Sequence, residues 1–360
     1  MKYIILPDSF KGSLTAIKFC KIAEEIISAS ENTVVDAYPI CDGGEGSIDC
    51  LTALFHGKKL TTKATDGNLF IKNATYGYSD EYAFIAVSET SGLPQTLIKD
   101  PAVTTTVGMG EQILQAKHLG KKKIILCLGG SSTNDGGAGL VHALGGKFIN
   151  KDGVPFLPTG GTLREIEKIE LNDFYQNIEG MDFIALCDVD NPLLGPNGCS
   201  YTFAPQKGAK TQKQLNFLED NMKYFAEKTA FLNVDSSEKG AGAAGGLGYC
   251  VLSFLKGKII SGIDFILDKI DFDSVAKDAD YIITGEGKFD QTSLHGKVVS
   301  GVLSRAERMH KNVVVFCGDG MESSHCRVVA INDPGQPLDI NIKNTESNLR
   351  KAIGAFLRTV

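Results

Sequence analysis

Six times along this chain, an apolar run typical of a buried strand ends in a short loop rich in glycine, acidic and hydroxyl residues. The longest loop, LGGSSTNDGGAGL, covers residues 128–140; it follows an apolar run over 124–128 and precedes a segment of helical character. Its five glycines let backbone N–H groups turn inward, and a helix that begins there adds its positive dipole end. This order predicts an anion-binding loop, although Asn134 or Asp135 could equally serve as an ordinary helix N-cap.

The order of the predicted elements indicates two α/β domains. Two early strands, each followed by a helix, give a βαβα pattern that requires a parallel sheet. Three late strands continue that pattern, so the five strands together predict a flavodoxin-like sheet: residues 2–6, 33–38, 281–284, 313–317 and 327–331. Between them, residues 59–87 predict an antiparallel meander that opens a second α/β domain, inserted into the first. We expect a discontinuous domain of residues 1–60 and 280–360 and an inserted domain of residues 61–279.

The six loops share a position at the carboxyl end of a predicted strand. They are PDSFKGS (7–13), CDGGEGS (41–47), the 128–140 loop, CDVDNP (187–192), TGEGKFDQ (284–291) and CGDG (317–320). In open parallel sheets, ligands bind beyond the carboxyl ends of the strands. We therefore expect the loops to face an interdomain cleft that holds the active site.

Composition narrows the class of protein. The net charge is -6 and there is no long basic run, which argues against nucleic acid or an anionic membrane as the main partner. Nine cysteines without a C-x-x-C pair are typical of reduced thiols that pack as small apolar residues. With neither a signal-peptide pattern nor an apolar stretch long enough for a membrane span, the sequence predicts a cytoplasmic protein.

The charged residues of the loops suggest a cation and a phosphate. The candidate metal ligands are Asp42, Glu45, Glu286 and Asp290. Lysines stand in similar glycine- or serine-flanked loops, at Lys11, Lys207 and Lys297. Taken singly, each acid is compatible with a turn or cap and each lysine with a solvated side chain. Together they indicate Mg²⁺, a polyphosphate such as ATP, and phosphoryl transfer.

Two familiar nucleotide motifs are excluded. GAGAAG (240–245) matches the dinucleotide fingerprint, but it follows a polar segment rather than a strand; we expect close packing or a cleft-lining loop there. The P-loop signature is absent, because Gly296 and Lys297 are followed by Val298. A kinase with this sequence is not a P-loop kinase.

The loop sequences resemble the bacterial glycerate kinase family from Pro7 to about Gly318. The resemblance is carried by PDSFKGS, CDGGEGS, LGGSSTNDGGAG, CDVDNPLLGPNGCSYTFAPQKGA, GAGAAGGLGY and TGEGKFDQTSLHGK, although Lys288 replaces the family's usual arginine. It implies a flavodoxin-like domain with an inserted α/β domain. It also implies ATP-dependent phosphorylation of D-glycerate, with 2-phosphoglycerate as the favoured product.

Residue roles are expectations at this point. Asp188 is the predicted catalytic base, since it follows a predicted rigid strand over 183–187; Asp42 is its main rival, and a metal-binding or turn-capping role for Asp188 stays open. Lys11, Asp190 and Asn191 complete the expected catalytic set. Substrate or nucleotide binding is expected of Asp8, Ser9, Gly129, Gly130, Ser131, Ser132, Thr133, Asn134, Asp135, Gln206, Lys207, His295 and Lys297.

Three alternatives stay open beside glycerate phosphorylation. They are a kinase of another small hydroxy acid, a nucleotide-binding sensor without turnover, and a hydroxyacid oxidoreductase, which lacks a dinucleotide fingerprint in its proper context. The sequence is compatible with a monomer or a homodimer.

Overall fold

The computed structural model describes residues 1–294 and 298–360. Over these residues the strands are β1 (Lys2–Pro7), β2 (Val34–Ala37), β3 (Lys58–Thr65), β4 (Ile71–Tyr78), β5 (Tyr82–Ala86), β6 (Lys123–Cys127), β7 (Lys147–Ile149), β8 (Pro155–Phe156), β9 (Lys168–Glu170), β10 (Asp182–Leu186), β11 (Lys258–Ile260), β12 (Tyr281–Phe289), β13 (Asn312–Gly320) and β14 (Arg327–Ala330).

The α-helices of the same residues are α1 (Ala16–Ile27), α2 (Ser47–Leu54), α3 (Val87–Ser91), α4 (Val107–His118), α5 (Ala138–Ala143), α6 (Asn172–Ile178), α7 (Cys199–Lys207), α8 (Gln212–Lys228), α9 (Ala243–Ser253), α10 (Gly262–Lys269), α11 (Phe272–Ala276), α12 (Val298–Arg308) and α13 (Leu338–Leu357). Short 3-10 helices cover Leu163–Glu165, Ala230–Leu232 and Gln291–Leu294.

The chain divides into two compact units. Unit 1 consists of Met1–Asp42, Asp49–Phe55 and Ser261–Val360, and unit 2 of Gly43–Ile48 and His56–Ile260. The chain therefore re-enters unit 1 at Ser261, earlier than the predicted residue 280. The reason is that α10 packs against α12, where a Cβ on Gly301 would lie 2.6 Å from Ile263.

Unit 1 contains the predicted flavodoxin-like sheet. Its five strands lie in the order β14-β13-β12-β1-β2, and every pairing is parallel. Counted along the chain, this is the 2-1-3-4-5 order of flavodoxin-like folds, so the predicted fold class is confirmed. One side of the sheet is covered by α1 and α13, where Phe19, Phe316 and Phe356 pack together.

Two strands of this sheet extend beyond their predicted ends. The prediction that TGEGKFDQ and CGDG are loops is wrong for most of their residues, because β12 runs to Phe289 and β13 to Gly320. The two strands stay paired over this stretch, with Glu286 opposite Cys317 and Lys288 opposite Asp319. Glu286 is consequently a strand residue and is buried.

Unit 2 is built on a six-stranded sheet in the order β11-β10-β6-β5-β4-β3. The predicted meander is present, since β3 pairs antiparallel with β4 and β4 antiparallel with β5. The strands β5, β6, β10 and β11 are parallel, so their carboxyl ends meet at one edge of the sheet. The small antiparallel sheet β8-β7-β9 was not predicted, because its strands have only two or three residues.

The glycine run at 240–248 packs against the 128–140 loop. A Cβ on Gly245 would lie 2.0 Å from the carbonyl oxygen of Thr133, and Gly136 donates its N–H to the carbonyl of Gly245 at 3.0 Å. Ala244, Gly245 and Gly246 all have positive φ. This segment is a close-packed support for the loop, as one of the two sequence expectations proposed.

Two further observations concern the cysteines and the helices. All nine cysteines are free thiols, and seven of them are buried. No helix among the described residues has the length and apolar character that a membrane span requires.

Candidate functional site

Parts of three predicted loops meet in unit 2, beside the carboxyl ends of the neighbouring strands β6 and β10. A Cβ on Gly129 would lie 2.6 Å from the Cα of Gly44, and the N–H of Gly129 donates to the carbonyl of Gly43 at 2.9 Å. A Cβ on Gly43 would lie 2.7 Å from the carbonyl oxygen of Leu186, two residues before Asp188. The sequence places glycine at these contacts because no side chain fits between the backbones.

Within the 128–140 loop, exposure is confined to its beginning. Gly130 is exposed and Gly129 is partly exposed, whereas Ser131, Ser132, Thr133, Asn134 and Asp135 are buried. Ser132 donates its N–H (2.8 Å) and its hydroxyl (2.9 Å) to the carbonyl of Ser91. The two glycines therefore form the part of the loop that a ligand can reach, while the following residues fix its conformation.

Asp135 anchors the loop from inside. It is fully buried and accepts hydrogen bonds from the N–H and hydroxyl of Thr106, at 2.8 and 2.9 Å, and from the N–H groups of Gly137 and Gly139, both at 3.2 Å. Burial raises its pKa, and these hydrogen bonds oppose that rise. The N–H groups at the start of α5 are thus engaged by Asp135 rather than presented to a ligand.

Lys207 is also part of the support. The prediction that it stands in a loop is wrong: it is the last residue of α7 and is 2% exposed. Its Nζ donates to the Oγ of Ser131 at 2.9 Å and to the carbonyl of Thr133 at 2.7 Å. Burial lowers its pKa to about 8. Its neighbour Gln206 is exposed on the same helix.

Asp188 leaves the end of β10 in register with the glycines. Leu186, the last residue of β10, pairs with Cys127, the last residue of β6. Asp188 and Gly129 are therefore equivalent positions, each two residues beyond the end of its strand. Asp188 is partly exposed. Asp190 instead extends into solvent and pairs with Lys239 at 3.3 Å, and Asn191 donates to the carbonyl of Asn197 at 2.8 Å. Asp188 is therefore placed beside the glycine contacts, and Asp190 and Asn191 are engaged by other groups.

In unit 1, acidic residues gather beyond the carboxyl ends of β1 and β2 and at Glu286 within β12. Asp8 has a pKa raised to about 7, first by burial and then by the charge of Asp42, with a smaller contribution from Glu286. The ammonium of Lys11 lies 3.7 Å from the Asp42 carboxylate and partly offsets this repulsion. Burial of Asp8 and repulsion from its neighbouring carboxylates thus outweigh the opposing effect of Lys11 on the pKa of Asp8.

The remaining predicted residues are more scattered. The N–H of Ser9 donates to Asp8 Oδ1 at 2.7 Å; Glu45 is exposed, and Asp290 pairs with Lys288 at 3.5 Å. Within residues 1–294 and 298–360, no three acidic, histidine or cysteine side chains form a ready-made metal cluster. His295 and Lys297 lie outside the described residues.

Several residues that support the site were missed in the sequence. Ser91, Thr104 and Thr106 each bond to the 128–140 loop, and Ser200 accepts from the side-chain amide of Asn134 at 3.3 Å. The consecutive threonines at 104–106, directly before α4, were the available signal. An unusual run of hydroxyls beside a helix start can mark buried hydrogen-bonding partners.

Comparison with known proteins identifies the family. The model of the glycerate kinase family matches residues 3–360. The chain belongs to the glycerate kinase family. A glycerate kinase of Bacillus cereus is 39% identical over 362 residues, covering 98% of this chain and 93% of that protein. A glycerate 2-kinase of Escherichia coli is 39% identical over 330 residues, covering 88% of this chain and 85% of that protein.

A solved structure agrees with this assignment. The "putative glycerate kinase 2" from Salmonella typhimurium LT2 superimposes with a TM-score of 0.89 at 33% identity, covering 100% of this chain and 98% of that chain. The chain is therefore an enzyme of the glycerate kinase family, a phosphotransferase that acts on an alcohol group. Membership argues against the sensor and oxidoreductase alternatives.

Proposed function

We propose that this enzyme transfers the γ-phosphoryl group of ATP to the 2-hydroxyl of D-glycerate, giving 2-phosphoglycerate and ADP with the help of Mg²⁺. Family membership supports the kinase reaction, and the position of the phosphorylated hydroxyl is supported by the E. coli relative, which is called a glycerate 2-kinase. Within this chain, the observation that carries the proposal is the position of Asp188 two residues after Leu186, whose carbonyl packs against Gly43 and which is in register with Cys127, two residues before Gly129.

Asp188 is our choice for the base. A carboxylate there can orient the substrate hydroxyl and accept its proton while the hydroxyl oxygen forms a bond to the γ-phosphorus and the bond from phosphorus to the ADP oxygen breaks. The parallel pairing of β10 with β6 and β11 fixes the backbone that carries Asp188. Positioning of this kind supplies much of the rate in phosphoryl transfer.

Gly130 is our choice for the anion contact, because it is exposed, whereas the N–H of Gly129 already donates to the carbonyl of Gly43. A glycine backbone lets a phosphate or carboxylate approach its N–H groups without a side chain in the way. Lys207 and Asp135 then act as positioning residues, since their buried charges hold Ser131, Thr133 and the start of α5 in place. These buried hydrogen bonds stabilise one conformation of the loop over the alternatives.

The acidic group of unit 1 suits Mg²⁺. Mg²⁺ usually binds one or two carboxylates, keeps several waters and takes its other ligands from substrate phosphates, so a closed cluster of protein ligands is not required. After burial, the charges of Asp42 and, to a smaller extent, Glu286 raise the pKa of Asp8, which indicates that these carboxylates repel one another, and a divalent cation would reduce that repulsion. We propose Asp42 and Glu286 as its protein ligands. Mg²⁺ would neutralise charge on the phosphates during transfer.

The base assignment is tested by Asp188→Asn, which keeps the size of the side chain and removes its charge. We expect kcat to fall on the order of 10²-fold or more. Asp182→Asn is the matched control, because Asp182 is exposed at the opposite end of the same strand. Turnover near that of the unmodified enzyme in Asp188→Asn, at ordinary Mg²⁺ concentration, would move the assignment to Asp42. Rescue of Asp188→Asn by added Mg²⁺ would show a metal ligand instead of a base.

A further inference from the structure

An exposed apolar patch lies on unit 2, outside the residues assigned to catalysis. It consists of five residues from the turn between β3 and β4, the first position of β4 and the segment after α3. Their exposed fractions are 52% for Leu69, 54% for Phe70, 67% for Ile71, 77% for Leu97 and 56% for Ile98. We call these five residues the apolar patch.

The two segments of the apolar patch are fastened together by Asn68. Its Oδ1 accepts the N–H groups of Leu97 and Ile98, both at 3.1 Å, and its Nδ2 donates to the carbonyl of Ile98 at 3.1 Å. Asp66 Oδ1 accepts the N–H groups of Asn68 and Phe70, both at 2.9 Å. The patch is thus presented by an ordered backbone, which limits the entropy lost when it binds a partner.

The turn breaks the usual preference of hairpins for small polar residues. Leu69 has a φ of 68°, a conformation in which glycine or asparagine is normally favoured, and it is followed by exposed Phe70 and Ile71. Residues that depart from the local conformational preference, with no compensating contact in the folded chain, are expected at functional surfaces. Burial of these side chains against a partner would supply the stabilisation that the fold does not.

The nearby edge of the same sheet shows how this protein protects an exposed surface. The edge strand β3 carries Lys58, Lys59 and Lys63, a pattern that discourages pairing between chains. The apolar patch contains no charged residue. The lysines of β3 therefore disfavour association at that edge, whereas the apolar patch carries no charge that would oppose association.

We propose that the apolar patch binds the same patch on a second copy of this chain, forming a two-fold symmetric dimer. At about 200 Å² for a fully exposed side chain of this size, the five exposed fractions correspond to about 600 Å². Pairing two such patches buries about 1,200 Å² in total, the lower end of the range for stable specific interfaces. One patch alone reaches the upper end of what monomeric proteins usually expose.

Charges at the border of the patch fit self-association. Lys99 and Asp100, directly after Ile98, place opposite charges side by side, and Asp100 is held by the N–H of Ala102 at 2.9 Å. A two-fold interface uses one surface twice, so that surface must carry both signs of charge. A strongly basic or acidic border would instead have favoured a partner of opposite charge.

The test is sedimentation velocity of the full chain over about 1 to 100 μM. We expect the unmodified protein to sediment as a dimer, twice the chain mass of 38.6 kDa. Phe70→Asp and Leu97→Asp each should shift it to monomer. Phe231→Asp is the matched control, because Phe231 is 57% exposed in the same unit but is not part of the patch, and it should remain dimeric.

Circular dichroism melting of every variant separates loss of dimer from loss of fold. Monomeric, folded Phe70→Asp and Leu97→Asp beside dimeric Phe231→Asp would support the proposal. A monomeric unmodified protein across the whole concentration range would overturn it, including the case in which the patch is covered within one chain. A dimer that survives both patch substitutions would also overturn it, because association would then use another surface.

Discussion

At the scale of the residue, Asp8 has the environment with the clearest consequence for pH dependence. Its pKa in the folded protein is raised to about 7 from an ordinary value of 3.8. The folded chain therefore holds a proton that the unfolded chain has lost between these two values. Consequently, the free energy of unfolding falls as pH rises through this window, and above it the ionised carboxylate destabilises the fold.

Replacing Asp8 by asparagine should remove this penalty. We expect Asp8→Asn to be more stable than the unmodified protein, and the gain to be larger at pH 8 than at pH 5 by at least about 1.4 kcal/mol, the equivalent of one pKa unit. Urea denaturation at the two pH values measures it, with exposed Asp152→Asn as the control. An equal gain at both pH values would mean that the pKa of Asp8 is not raised in the folded protein.

Substitution of the buried Lys207 should reduce catalytic activity much more than thermal stability. Lys207→Met keeps most of the volume and removes the cost of burying a charge, which offsets part of the stability lost with the hydrogen bonds of Lys207. It also removes the donors to Ser131 and Thr133, so the loop loses its fixed conformation. We expect Tm to change by only a few degrees while kcat/KM falls at least about tenfold, or 1.4 kcal/mol. Unchanged kinetics would leave Lys207 a purely structural role.

At the scale of the element, the 128–140 loop offers a controlled comparison of two glycines. Gly130 (φ 78°) and Gly120 (φ 73°) have similar backbone conformations and open space around them, the nearest atom being the Cβ of Ser88 at 3.8 Å from a Cβ on Gly130. Alanine at either position should cost stability by a similar amount, about 1–2 kcal/mol. Gly130→Ala alone should raise the KM for one substrate at least about tenfold. Steady-state kinetics with each substrate varied in turn decides this, and equal KM values in both variants would contradict an anion contact at Gly130.

Helices and strands with a clear apolar pattern were predictable from the sequence, whereas strand ends and the buried residues that support the loops were not. The strands β6 and β10 follow from continuous apolar runs, and α8 begins at the capping box of Thr211 and Gln214. The ends of β12 and β13 were missed because glycines and charges at 285–288 and 318–320 read as loop, whereas pairing between the two strands continues. Burial of Lys207 could not be predicted, since a lysine between Gln206 and Gly208 has no apolar pattern around it.

At the scale of the whole molecule, the sequence predicted the sheet of unit 1 and the insertion into it. Two early and three late strands with helical crossovers permit few arrangements, because parallel crossovers are right-handed. The assignment of α10 and α11 to unit 1 was not predictable, since it depends on contacts such as that between Ile263 and Gly301. Exposure of the apolar patch was equally hidden, because an apolar turn in a sequence normally indicates burial.

The central claim, that this enzyme phosphorylates the 2-hydroxyl of D-glycerate, is tested most directly by identifying its product. The unmodified enzyme is incubated with ATP, Mg²⁺ and D-glycerate, and the ³¹P spectrum is recorded with proton coupling. In 2-phosphoglycerate the phosphorus is coupled to the single proton of a CH group, so we predict a new doublet. A triplet, from coupling to a CH₂ group, would show phosphorylation of the 3-hydroxyl, and the absence of any new phosphate ester would contradict glycerate as the substrate.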